Sequence, residues 1–232
     1  MKRRALKILV TVFLAAFTCV TLNSQPRNAS AQEGSEQQDL VDQARMTFQS
    51  FMRDQNMTWL HENYGDARGL IIVPSQIKGG FFIGGSGGSG VLIARDPETG
   101  QWSHPGFYTI GSVTFGLQIG GEAAEMVMVV RTERALTNLY TSSLKLGGDV
   151  SAAAGPIGAG VKSNVTADIV TFTRSKGAYV GASLEGSVIK IKHDWNESYY
   201  GKPVQPVDIF VKKNVENPGA RELIQAVSSG KY

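Results

Sequence analysis

The sequence has almost no cysteine. Its 232 residues hold one, Cys19, inside an N-terminal apolar run. A lipid-attachment signal wants a small residue directly before the cysteine and leucine three before it; Thr18 and Ala16 stand there instead. Losing that segment would leave a chain with no disulfide, no thiolate metal site and no cysteine nucleophile. Histidine is scarce as well. His61, His104 and His193 lie far apart, and His61-Glu62 does not continue into a helical H-E-x-x-H pattern. No metal and no cofactor is therefore expected. The longest apolar run, residues 8–22, falls short of the ~20 residues that span a bilayer. An excess of one charge is missing too. The chain has 23 basic and 20 acidic residues, which gives no support for nucleic-acid binding.

The N-terminus reads as a targeting segment. Lys2, Arg3, Arg4 and Lys7 precede the apolar run, and Ala29-Ser30-Ala31 follows it. A basic head, a short apolar stretch and a small-x-small site describe a signal peptide over residues 1–31. Its removal takes Lys2, Arg3, Arg4, Lys7 and Arg27 and no acid, leaving 18 basic against 20 acidic residues, a net charge of −2. The expected location is periplasmic or secreted. Any attraction to an anionic surface must then come from a local patch.

Residues 32–38 read as a flexible leader, and residues 39–232 as one domain. From Asp39 to Arg53, Val41, Ala44, Phe48, Phe51 and Met52 recur at helical spacing between polar residues. A short helix is expected from Thr58, including Trp59 and Leu60. Then the period changes. Leu70-Ile71-Ile72-Val73, stopped by Pro74, suits a buried strand. Residues 80–83, 91–94, 113–119, 126–130, 169–173, 178–184 and 187–192 read as further strands. Asp96-Pro97-Glu98-Thr99-Gly100 has turn chemistry. Thr132 opens a helix to Tyr140 as its N-cap, and Asn217-Pro218 opens a terminal one through Val227. The expected fold is α+β: a β-rich, antiparallel, barrel-like or sandwich core with an N-terminal amphipathic helix and a C-terminal helix.

Glycine is abundant, 27 of 232 residues against a usual ~7 %, so glycine motifs arise by chance. Residues 85–90 fit G-x-G-x-x-G and residues 84–88 fit G-x-S-x-G around Ser86. Both motifs need a helix directly after the loop, whereas Val91-Leu92-Ile93-Ala94 reads as strand. A glycine-rich hairpin or closely packed strand pair is the plainer reading. Glu122 and Glu125 suggest an exposed edge, not an acid/base pair. The helix over 39–53 invites two readings. Its apolar face packs on the sheet, or it enters a lipid interface while arginines meet head groups. The lipid-contact set on the second reading is Arg45, Phe48, Phe51, Met52, Arg53 and Trp59, with Lys78, Arg174 and Lys176 as a basic rim. Lys190 and Lys192 read as a solvated strand face.

Several blocks, in order, resemble the SYLF (Ysc84-like) lipid-binding domain family. They are Ala67-Arg68-Gly69 leading to Pro74, Gly79-Gly80-Phe81, Gly87-Gly88-Ser89-Gly90, and Trp102-Ser103-His104-Pro105-Gly106-Phe107. Residues 116–122, residues 148–156, residues 175–181, Leu184-Glu185-Gly186 and Tyr199-Tyr200-Gly201 follow. The resemblance covers most of the chain after residue 31 and is that of a bacterial exported member. It implies non-catalytic binding to anionic phospholipid, of phosphoinositide type in eukaryotic members, at a membrane surface. An envelope structural or protein-interaction protein without lipid binding is the alternative, its partner unknown. An outer-membrane barrel and a serine hydrolase using Ser86 stand further off.

Overall fold

The computed structural model describes residues 29–80, 83–115, 122–141, 143–175, 178–179 and 184–230; side chains are described for 36–75, 86–111, 123–141, 143–175 and 184–230. Cys19 and most of the expected signal peptide lie outside the described residues. The chain divides into two units, Met1–Gln32 and Glu33–Tyr232. Of the first, only residues 29–32 are described, as helix.

Helix α1 runs Ala29–Arg53. The periodicity set its start at Asp39, so residues 32–38, expected as a flexible leader, are helical. Helix α2 (Thr58–Asn63) follows as expected. The strands are β1 (Gly69–Gly80), β2 (Ile83–Ala94), β3 (Gly106–Phe115), β4 (Glu122–Val130), β5 (Leu144–Lys145), β6 (Ala152–Ala154), β7 (Ile169–Ser175), β8 (Ala178–Tyr179) and β9 (Val188–Ile191). Helix α3 (Glu133–Thr141) follows β4; α4 (His193–Tyr200), α5 (Pro206–Phe210) and α6 (Arg221–Ser229) close the chain.

The strands form one curled half-barrel sheet in the order β5-β9-β3-β2-β1-β4-β7-β6, with β8 beside β7. Among the described residues every strand-to-strand pairing is antiparallel except that of β6 with β7. Central β1 explains the apolar run at 70–73. Leu70 and Ile72 join a core with Phe48, Phe51, Leu60 and Leu223, while Ile71 and Val73 join one with Leu136, Leu139, Ile209 and Phe210. Successive side chains point to opposite faces of a strand, so a sheet covered on both faces needs unbroken apolar runs. The barrel-like form of the expectation holds; the second layer is helical, not another sheet.

Pro74 does not end β1. The register shifts between Ile72 and Ser75 against β2, and the strand continues to Gly80. A bulge accommodates the missing N–H. Opposite it lies Gly90, where a Cβ would stand 2.7 Å from the Ile72 carbonyl oxygen. The glycine-rich stretch is thus a closely packed strand, with Ser86 paired to Lys78 and Ser112. Local chemistry elsewhere follows the sequence. Asp96 Oδ1 accepts the Glu98 and Thr99 N–H groups at 2.8 Å each. Thr132 Oγ1 accepts from the Ala135 N–H at 3.2 Å. Asn217 caps the turn Pro218–Ala220 that leads into α6.

Candidate functional site

The residues expected to enter lipid are core residues. Phe48 is 1 % exposed and Phe51 0 %, and Met52 and Trp59 are buried beside them. Phe172 lies 5.8 Å from the Trp59 ring, and Tyr64 lies 5.8 Å from Phe48. Two of the expected basic residues tie α1 to the body. The Arg174 guanidinium sits 4.8 Å over the Phe51 ring; its Nε donates to Glu125 Oε2 at 2.9 Å and its Nη2 to Ser50 Oγ at 2.7 Å. Arg45 Nε lies 3.3 Å from Glu222 Oε2 on α6. Only Arg53, at the end of α1, is exposed as expected. Lys78 pairs through its backbone with Ser86 and Glu122, but its side chain lies outside the described residues, as does the whole of Lys176.

The reason is geometric. The helix turns its apolar stripe to the sheet, which leaves Glu36, Asp39, Gln43, Met46 and Arg53 outside. That outer face begins acidic and carries one large apolar residue, Met46, 53 % exposed. It lacks the broad apolar stripe and basic flank of an interfacial helix.

Groups with reactive chemistry are occupied structurally. Ser86 lies within β2, so the strand–turn–helix of a nucleophile elbow is not formed. The ring of His61 bonds the Phe51 carbonyl at 3.3 Å. His104 accepts the Asn217 N–H at Nδ1, 3.3 Å, beside a cleft of ≈ 460 Å³ that Glu216, Arg221 and Ile224 also line. Burial lowers its pKa, against the opposing pull of the Glu216 carboxylate. Lys192 is not freely solvated: its Nζ lies 3.2 Å from the Trp195 ring centroid and donates to Ser89 Oγ at 3.2 Å. Asp168 takes hydrogen bonds from Ser151, Thr132 Oγ1 and Arg134 Nη2. Burial pushes its pKa up, but these bonds outweigh that and hold it well below the usual carboxylate range. Among the described residues no group of three His, Cys, Asp or Glu could hold a metal ion, and no helix is long and apolar enough to cross a membrane. A cleft of ≈ 580 Å³ holds Arg68 and Arg95, but Asp66, Asp96 and Glu98 line it as well.

One surface was not legible in the periodicity. Helix α5 opens with Gln205 and Asp208 as a capping box and Pro206 at its start. It buries Pro206, Ile209 and Phe210 and leaves Val207 37 % exposed, and Val211, directly after its end, is 58 % exposed. Phe210 stacks on Tyr140 with centroids 4.9 Å apart. The Gln205-Pro206 opening with Asp208 at the third position was the available signal, and it is too short to register as a period.

The fold and these placements define a one-sheet α+β domain covered by helices on both faces. A family model described as "Ysc84: Las17-binding protein actin regulator" matches residues 111–230. The human "SH3 domain-containing YSC84-like protein 1" is 33 % identical over 168 residues, 70 % of this chain and 48 % of that protein. "Protein YSC84" of Saccharomyces cerevisiae is 30 % identical over 170 residues, 70 % of this chain and 36 % of that protein. The chain belongs to the Ysc84 (SYLF) family. It spans less than half the length of these two relatives.

Proposed function

We propose that the protein is an exported, non-catalytic lipid-binding protein that associates with anionic phospholipid at a membrane surface, in the periplasm or outside the cell. Membership of the Ysc84 family carries this reading, because the SYLF resemblance implies phospholipid binding. The place of Ser86 within β2 and the structural bonds of His61, His104 and Asp168 support binding over catalysis. The basic head, apolar run and Ala29-Ser30-Ala31 support export. One observation favours a second reading, a protein-interaction role without lipid. The apolar face of α1 is packed against the sheet, which leaves Phe48, Phe51 and Met52 no free surface to offer a lipid in this structure. Co-sedimentation with phosphatidylglycerol and phosphatidylcholine vesicles separates the two, using both the full chain and the chain from Gln32. Salt-sensitive binding of both forms to the anionic vesicles is expected. Failure of the shorter form to bind any vesicle would leave the protein-interaction reading.

A further inference from the structure

We infer that the turn built on α5 is the surface that meets the anionic bilayer; this rests on the lipid-binding reading. Large apolar side chains are exposed at Met46, Val161, Val207 and Val211 among the described residues. Met46 shares its helix face with Glu36 and Asp39. Val161 adjoins Lys162, which pairs with Glu62 at 4.0 Å. Val207 lies in α5 and Val211 directly follows its last residue; the two are four residues apart, with the Val211 N–H bonded to the Val207 carbonyl, so they present side by side.

Their setting is basic. The segment 201–216 holds Lys202, Lys212 and Lys213 against Asp208 and Glu216, a net charge of +1. Lys212 Nζ bonds Asp208 Oδ1 at 2.9 Å, and Lys213 pairs with Asp96. These contacts neutralise Asp208 and Asp96, and Lys202, exposed, adds a further positive charge. Anionic head groups complement that balance, and each lysine near such a surface adds severalfold to binding.

The valines are held, not loosely displayed. Beneath them Phe210 packs over Gly106, where a Cβ would stand 2.6 Å from the ring. The Val207 carbonyl accepts both Val211 N–H, 3.1 Å, and Lys212 N–H, 2.8 Å. Lys213 then adopts a left-handed φ of 52°. A non-glycine residue in that region is strained and persists only where its surroundings hold it. The turn thus fixes two aliphatic side chains and adjacent lysines on one rigid support, which lowers the entropy lost on contact.

Position-specific fluorescence tests this. The chain has one native thiol, Cys19, so Cys19→Ser in the full chain gives a background for Val211→Cys and, as a comparison, Gln43→Cys on the outer face of α1. Each is labelled with a polarity-sensitive dye and mixed with phosphatidylglycerol vesicles. The dye at 211 should shift to the blue and be quenched by brominated acyl chains, while the dye at 43 should not. In the unlabelled protein, Val207→Ser/Val211→Ser should weaken partitioning on the order of tenfold, and Lys202→Gln about fivefold. Vesicle binding with a silent dye at 211, or with the response at 43 instead, would overturn the assignment while leaving lipid binding intact. It would also be overturned if the double serine variant bound as the parent does. If the chain from Gln32 binds no vesicle at all, the lipid-binding reading itself falls.

Discussion

Replacing Phe51 by alanine should destabilise the whole fold rather than act on a surface. The ring is 0 % exposed, packs among Phe48, Leu70 and Ile72, and carries the Arg174 guanidinium 4.8 Å above it. Truncating a buried phenylalanine costs about 3–5 kcal/mol in lost transfer energy and residual cavity. The stacked arginine adds to this, because its partner face is lost while its bonds to Glu125 and Ser50 must hold alone. For a domain of this size each kcal/mol moves Tm by about 2–4 °C, so Phe51→Ala should lower Tm by roughly 10 °C. Phe48→Ala should act similarly, and the pair together, at about 6–10 kcal/mol, approaches the whole ~5–15 kcal/mol that holds a domain folded. Met46→Ala, on the outer face of the same helix, should stay within about 0.5 kcal/mol. The assay is urea unfolding followed by far-ultraviolet circular dichroism, without vesicles. If Phe51→Ala matches the parent within about 1 kcal/mol and yet loses vesicle binding, the ring is not in the core. Helix α1 would then be the lipid-contact element after all.

Two further outcomes test the packing and the polar anchors. A Cβ at Gly155 would stand 2.2 Å from Phe172 Cε1. Gly155→Ala should therefore cost about 1–3 kcal/mol, and Phe172→Leu in that background should recover part of the loss; strict additivity in a double-mutant cycle would contradict the contact. Asp168 has its pKa held below the ordinary 3.8, so its stabilising contribution is complete above that value and fades as pH falls below it. Asp168→Asn should cost about 1–3 kcal/mol at neutral pH, and the gap to the parent should narrow under acid conditions. A gap that stayed constant from pH 7 to pH 2 would show that the charge is not what the bonds from Ser151, Thr132 and Arg134 recognise.

The chain wrote its local structure plainly. The apolar stripe of α1 marked an amphipathic helix, Thr132 and Asn217 marked helix starts, and unbroken runs such as residues 70–73 marked buried strands. Each is fixed by period or by a bond within three residues, which a linear sequence carries in full. The ordered blocks from Arg68 to Tyr200 marked the family in the same way. Helix α4 was not legible: its sequence, residues 193–200, has no aliphatic period. It is anchored from afar, where Asn196 accepts the Phe107 N–H at 2.9 Å. Pro74 looked like a strand end because the bulge in β1 that lets the strand continue exists only in its register against β2 and β4. The assignment of surfaces was decided by tertiary structure alone. An amphipathic helix has the same pattern whether its apolar face meets a sheet or a bilayer, since both remove that face from water. Here the curled sheet provides the apolar surface, so Phe48, Phe51 and Trp59 are inside, and Val207 and Val211, at a short helix and its end, are left outside.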